Sequence, residues 1–111
     1  MPDPTDDTFA TTREWVLRHL GDALTLDALA AHANVSARTF SRRFVASTGS
    51  TPMQWVLRAR VDLARELLER SDLAVDQVAA RVGLGTDANL RLHFRRILGI
   101  SPTAYRRVFQ Q

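Results

Sequence analysis

The sequence predicts an all-α fold: two helix-turn-helix subdomains joined by a long central helix, about seven helices in all. Three observations carry this expectation. The chain repeats itself. Phe40, Phe44, Gly49, Pro52 and Trp55 recur 50 residues later as Leu90, Phe94, Gly99, Pro102 and Tyr105, while Leu26 to Ala31 lie over Val75 to Ala80 at an offset of 49. The second copy therefore carries one extra residue in the turn before Leu90. Each copy also has apolar residues at helical spacing with no strand signal between them. Finally, Ser, Thr, Gly and Pro stand where helices should start and stop.

Taken in order, residues 1–8 read as a disordered acidic tail. Phe9, Trp15, Val16 and Leu20 are spaced for an amphipathic first helix ending near Gly21. Thr25 is a good N-cap for a short helix from 26 to about 33, with Leu26, Leu29 and Ala30 as its apolar stripe. Ser36 can cap a third helix to about residue 47, stopped by Gly49. About three residues separate these two helices, so they must cross sharply. Together, residues 9–50 form the first subdomain.

Thr51-Pro52 is an N-cap followed by proline at the first helical position, and no breaker follows until about Ser71. The resulting linker helix, 51–71, should run roughly 19 residues and ~28 Å. Its stripe of Val56, Leu57, Val61, Ala64, Leu67 and Leu68 is wide enough to serve both flanking units. The second subdomain, 72–111, repeats the plan with a short helix from about 75 to 82, a turn over 83–85 and a helix from about 86 to 98. Ser101-Pro102 then opens a last short helix bearing Tyr105 and Val108.

Size and composition narrow the functional classes. A chain of 111 residues, 45% hydrophobic and 24% charged, is an ordinary globular domain. Without cysteine it has neither disulfides nor thiolate metal sites. It lacks an apolar run long enough to span a bilayer, and its acidic start is unlike a signal peptide, so no membrane role and a cytoplasmic location are expected. The charge is segregated. Residues 1–35 hold two Arg and six acids, 36–61 five Arg and no acid, 62–90 three Arg and six acids, and 91–111 five Arg and no acid. Two acid-free arginine blocks, each opening at the repeated motif, are what a polyanion-binding face requires.

In a helix-turn-helix unit the second helix lies in the DNA major groove. On the third helix Phe40 and Phe44 share one face, and Arg38, Ser41, Arg42 and Val45 the other. Arg38 and Arg42 stand one turn apart and suit bidentate bonding to guanine O6 and N7. On the sixth helix Leu90, Phe94, Ile97 and Leu98 should pack inward, leaving Ala88, Asn89, Arg91, Leu92 and Arg95 outward. Asn89 suits adenine, whereas Ala88 and Leu92 offer apolar contact to a thymine methyl. This second face is chemically poorer and should discriminate less. Arg91, Arg95, Arg96, Arg106 and Arg107 fit phosphate neutralisation, which positions a protein without reading sequence. Trp15, Trp55 and Tyr105 sit on apolar stripes and read as core. His19, His32 and His93 are scattered and form no metal-ligand pattern. No nucleophile with a base, carboxylate pair or phosphate loop is present, so neither enzyme activity nor a cofactor is expected.

These residues resemble the DNA-binding domain of the AraC/XylS family of bacterial transcription regulators from about Trp15 to Arg107. The most specific stretch is Ala79, Gly83, Leu90, Phe94, Gly99, Pro102, Tyr105 and Arg106. The resemblance implies that helices three and six enter successive major grooves of double-stranded DNA, with the domain usually acting as a monomer on asymmetric sites. Carried over by position, it makes Arg38, Ser41, Arg42, Ala88, Asn89 and Leu92 base readers, and adds Thr25 and Arg43 to the phosphate contacts. Leu92 departs from the family, which commonly has Arg there. The resemblance also implies RNA polymerase as a partner. The wording of both repeats is similar to a subgroup with an amidotransferase-like sensor domain, which implies a sensor domain of the same full-length protein as a further partner; the family also includes complete stand-alone regulators of this size. A competing reading is a helical protein-interaction module contacting acidic partners of the transcription machinery.

Overall fold

The computed structural model describes residues 6–110. Among them lie α1 (Asp6–Arg18), α2 (Leu26–His32), α3 (Ala37–Thr48), α4 (Pro52–Arg70), α5 (Val75–Arg81), α6 (Asp87–Leu98) and α7 (Pro102–Phe109), with no strand. The all-α expectation holds. Helix α1 begins at Asp6, inside the stretch expected to be a disordered tail, because acidic residues favour a helix N-terminus. Residues 1–5 of that tail lie outside the described residues. The chain forms two compact units that divide inside α4, after Val56. The linker helix expected over 51–71 is thus shared. Its first turn closes unit 1, as α7 closes unit 2, and its remainder opens unit 2.

Side-chain caps start most of these helices. Thr25, Ser36, Thr86 and Ser101 each accept the amide of the residue three ahead at 3.1 Å. Thr51 and Gln54 close a reciprocal capping box, both bonds 3.2 Å. Ala74 stands where Thr25 stands in the first copy and has no cap to offer, so Gln77 Oε1 accepts the Ala74 amide at 2.9 Å.

The turns show where the two copies differ. Asn34 (φ 62°) and Gly83 (φ 87°) occupy the same left-handed position, after which Val35 donates to the Ala30 carbonyl and Leu84 to that of Ala79. Unit 2 then inserts Gly85 (φ 81°), whose amide also reaches Ala79 O at 3.1 Å. The extra residue expected in the second turn is therefore Gly85. A second left-handed excursion two residues after Gly83 is cheap only for glycine.

The core of unit 1 is an aromatic chain. Phe9 meets Phe40 edge-on at 5.2 Å between centroids, Phe40 meets Phe44 at 5.5 Å, and Phe44 meets Trp55 at 5.9 Å and 73°. Val16, Leu20, Leu24, Leu29, Ala30, Ala33 and Val56 are buried in the same unit. Thr12, only 1% exposed, is a buried polar residue. Its hydroxyl hydrogen-bonds His32 Nδ1 at 2.9 Å, avoiding the cost of an unpaired buried group. The His32 ring stacks on Trp15 at 4.6 Å, and His19 lies 4.9 Å from the same ring and donates to the Trp15 carbonyl. Two of the three histidines thus join α1 to itself and to α2.

In unit 2, Val61, Ala64 and Leu68 of α4 pack with Val78, Ala79, Val82, Leu84, Leu90, Phe94 and Tyr105. Phe94 and Tyr105 meet at 5.5 Å and 74°, reproducing the Phe44–Trp55 pair of unit 1. Repeated sequence has given repeated packing. The C-terminus of α4 is capped from α7. Arg106 Nε and a terminal nitrogen donate to the carbonyls of Leu68 (3.2 Å) and Ser71 (3.1 Å), and Gln110 Nε2 also donates to Ser71 O at 2.7 Å. Tyr105 Oη donates to Glu69 Oε1 at 2.7 Å. These donors answer the carbonyls and partial negative charge that a helix end leaves open.

Candidate nucleic-acid interface

The burial of two side chains on each second helix fixes its rotation. Phe40 and Phe44 on α3 are buried, which turns Arg38, Arg42 and Val45 to the exposed side, with Ser41 half-buried between them. Leu90 and Phe94 do the same on α6, exposing Ala88, Arg91, Leu92 and Arg95, while Ile97 and Leu98 pack against the unit 2 core. Leu92, at 45% exposure, is a large apolar side chain held on the surface.

The structure brings Arg38, Ser41 and Arg42 together on one face of α3, as their spacing requires. No acid lies in the first turn of that helix. Ala88 and Leu92 share the corresponding face of α6. Asn89 is half-buried, and its Nδ2 donates to the Leu84 carbonyl at 2.9 Å, bracing the turn that Gly85 lengthens.

The basic residues divide in the same way. Arg95, Arg96 and Arg107 are exposed, and Arg43 is half-buried. Thr25 is exposed and spends an oxygen lone pair on the α2 cap, leaving its hydroxyl proton to be donated. Arg106 turns its guanidinium back onto α4, where it donates to the Leu68 and Ser71 carbonyls. Arg91 is drawn to Asp87, with 3.5 Å between Nη2 and Oδ2. Arg58 lies 3.8 Å from Asp62 in a similar i, i+4 pair. Both pairs straddle a boundary between an acid-free block and an acidic one.

Asp87 and Glu69 are the residues that sequence reasoning passed over. An acid four residues before Arg91 on one helix was a legible signal for the first. Nothing local announces the second, whose partner Tyr105 lies 36 residues away. Burial, together with the Glu69 carboxylate, pushes the Tyr105 phenol above its ordinary value. Among the described residues no group of three His, Cys, Asp or Glu side chains is placed to hold a metal ion, and no helix is long and apolar enough to cross a membrane. What the exposed faces offer is guanidinium forks, suited to phosphate oxygens and guanine edges alike.

Residues 29–108 match a family model described as a helix-turn-helix domain. Among solved structures, the DNA-binding domain of AdpA, a global transcriptional factor crystallised with a target DNA, is 47% identical with a TM-score of 0.88, covering 97% of this chain and 94% of that one. An HTH-type transcriptional regulator of Mycobacterium tuberculosis is 40% identical over 89 residues, which is 80% of this chain and 34% of the relative. A putative AraC-like transcription regulator of Streptomyces lividans is 32% identical over 95 residues, 86% of this chain and 28% of the relative. The chain spans about a third of the length of the curated relatives it matches.

Proposed function

This chain belongs to the AraC-type helix-turn-helix family, and from that premise we propose that it binds double-stranded DNA sequence-specifically, with α3 and α6 in successive major grooves. The observation that carries the reading is the exposed Arg38–Ser41–Arg42 face of α3, locked in rotation by the buried Phe40 and Phe44. The similarity to the AdpA domain, which was crystallised with its DNA, supports it. Arg38 and Arg42 read guanine through O6 and N7, with Ser41 between them, and Ala88 and Leu92 contact thymine methyls. Arg43, Arg95, Arg96, Arg107 and the Thr25 hydroxyl hold phosphates and set the docking register. Transcription regulation in the cytoplasm is the wider role, exerted through RNA polymerase and governed by a sensor domain of the same full-length protein. The chain acts as a binder and not as an enzyme, in keeping with relatives that are named as regulators.

Selection of bound sites from a random duplex library, with affinity measured against salt, tests the reading. An asymmetric motif about two turns long is expected, along with a salt slope of about −0.9 per phosphate contacted. Arg42→Ala should cost about 1–3 kcal/mol at the selected site and relax one or two of its base pairs. Salt-insensitive binding with no enriched motif would refute DNA recognition.

A further inference from the structure

The two exposed faces are near inversions of one another. At the equivalent positions 38, 41, 42 and 45, α3 carries Arg, Ser, Arg and Val, whereas at 88, 91, 92 and 95 α6 carries Ala, Arg, Leu and Arg. At these four positions every arginine of one helix has a small or apolar residue as its counterpart in the other. By the internal repeat Arg91 is the counterpart of Ser41, in the middle of the reading face, and so is poorly placed for the groove rim where phosphates lie. It also has a partner that its α3 counterpart lacks. Asp87, at the first position of α6, lies 3.5 Å from the Arg91 guanidinium, with the two side chains 47% and 56% exposed. The equivalent of Asp87 on α3 is Ala37, and the first turn of α3 holds no acid.

We propose that Asp87 and Arg91 form a paired reader at the start of α6: the Asp87 carboxylate steers Arg91, and Arg91 reads a guanine that Ala88 and Leu92 cannot read. The inference rests on the docking of α6 proposed above. Acid before base at i, i+4 is the favourable order on a helix, and Asp87 stands in the first turn of α6, where its charge complements the helix N-terminus. An exposed pair of this kind adds little to stability, so its consequence lies in orientation. A lone arginine on this face would swing between phosphates and bases, whereas one tethered at its own helix start presents its remaining N–H donors in a single direction. Helix α6 then discriminates at a guanine, besides any thymine contacts, and Asp87 is a positioning residue that touches no base itself.

The test is site selection from a random duplex library, using the chain and its Arg91→Ala and Asp87→Asn variants, with salt titrations on the selected duplex. Arg91→Ala should lower the preference for guanine at one position about 5- to 150-fold, leave the positions read by α3 unchanged, and leave the salt slope intact. Asp87→Asn should weaken that same guanine preference several-fold without lowering affinity for random duplex, while circular dichroism and thermal melting stay near wild type. If Arg91→Ala weakens all duplexes alike, keeps the motif and reduces the salt slope by about 0.9, Arg91 is a phosphate ligand and the proposal is overturned while α6 docking survives. An Asp87→Asn protein with an unaltered guanine preference overturns the steering role. Failure of the unmodified chain to enrich any motif would overturn α6 docking itself, and this pair with it.

Discussion

Arg106→Ala separates the structural reading of this side chain from the electrostatic one that its position suggested. The guanidinium makes two charge-assisted bonds, to Leu68 O at 3.2 Å and Ser71 O at 3.1 Å. Bonds of this type contribute about 1.5–3 kcal/mol each when intact, which puts an upper bound near 6 kcal/mol on the loss. The Ser71 carbonyl keeps the Gln110 amide at 2.7 Å, however, so the main loss is the single bond to the carbonyl of Leu68, a fully buried residue. The net cost should therefore fall to about 2 kcal/mol. With an unfolding entropy of about 2.1 cal/mol/K per residue, that corresponds to a fall of roughly 9 °C in Tm. Calorimetry or urea denaturation reads this directly, and the salt dependence of DNA binding should keep its slope. Arg107→Ala, one residue on and exposed, should do the reverse, leaving stability within about 0.5 kcal/mol and lowering the salt slope by about one. An Arg106→Ala protein with unchanged Tm and a reduced slope would refute the cap and restore Arg106 to the phosphate set.

Three further outcomes follow from the same structure. Leu92→Arg, at a site 45% exposed, should change stability by less than about 0.5 kcal/mol while tightening binding to all duplexes in low salt; a weakened or unaltered affinity would show that residue 92 does not approach DNA. Ala64→Pro, in the buried interior of α4, should cost about 3 kcal/mol or more by removing a helix hydrogen bond and crowding the preceding turn. Footprinting should then show the two-turn site replaced by partial or no protection, and an intact footprint would refute the requirement for a continuous α4. Tyr105 has its folded-state pKa raised above the ordinary 10.0, first by burial and then by Glu69. Its neutral form is thus favoured on folding, and that stability is fully present below pH 10 and lost as pH rises through the folded value. Urea midpoints from pH 8 to 11 should fall more steeply for the wild type than for Tyr105→Phe, and parallel curves would dismiss the linkage.

Much of this molecule is written locally. Periodicity marks the helices, and caps such as Ser36, Thr51, Thr86 and Ser101 mark their starts, because both depend on residues within one or two turns. The repeat aligned Phe44 with Phe94 and Trp55 with Tyr105, and the structure packs the two pairs alike. It also placed Arg38, Ser41 and Arg42 on one face, since a helix with two buried phenylalanines has only one side left to expose. What tertiary structure decided is which polar groups are already occupied. Arg106 resembles its neighbour Arg107 in sequence, yet one caps a helix end more than 30 residues away while the other stands in solvent. Nothing local announces that Asn89 Nδ2 donates to the Leu84 carbonyl of the lengthened turn at 2.9 Å, and Thr12 and His32 look unrelated until α1 and α2 pack. Local pattern fixes where a side chain begins, but a hydrogen bond forms with whatever the fold brings within about 3 Å of its far end, and for a long polar side chain that partner is set by chain segments distant in sequence.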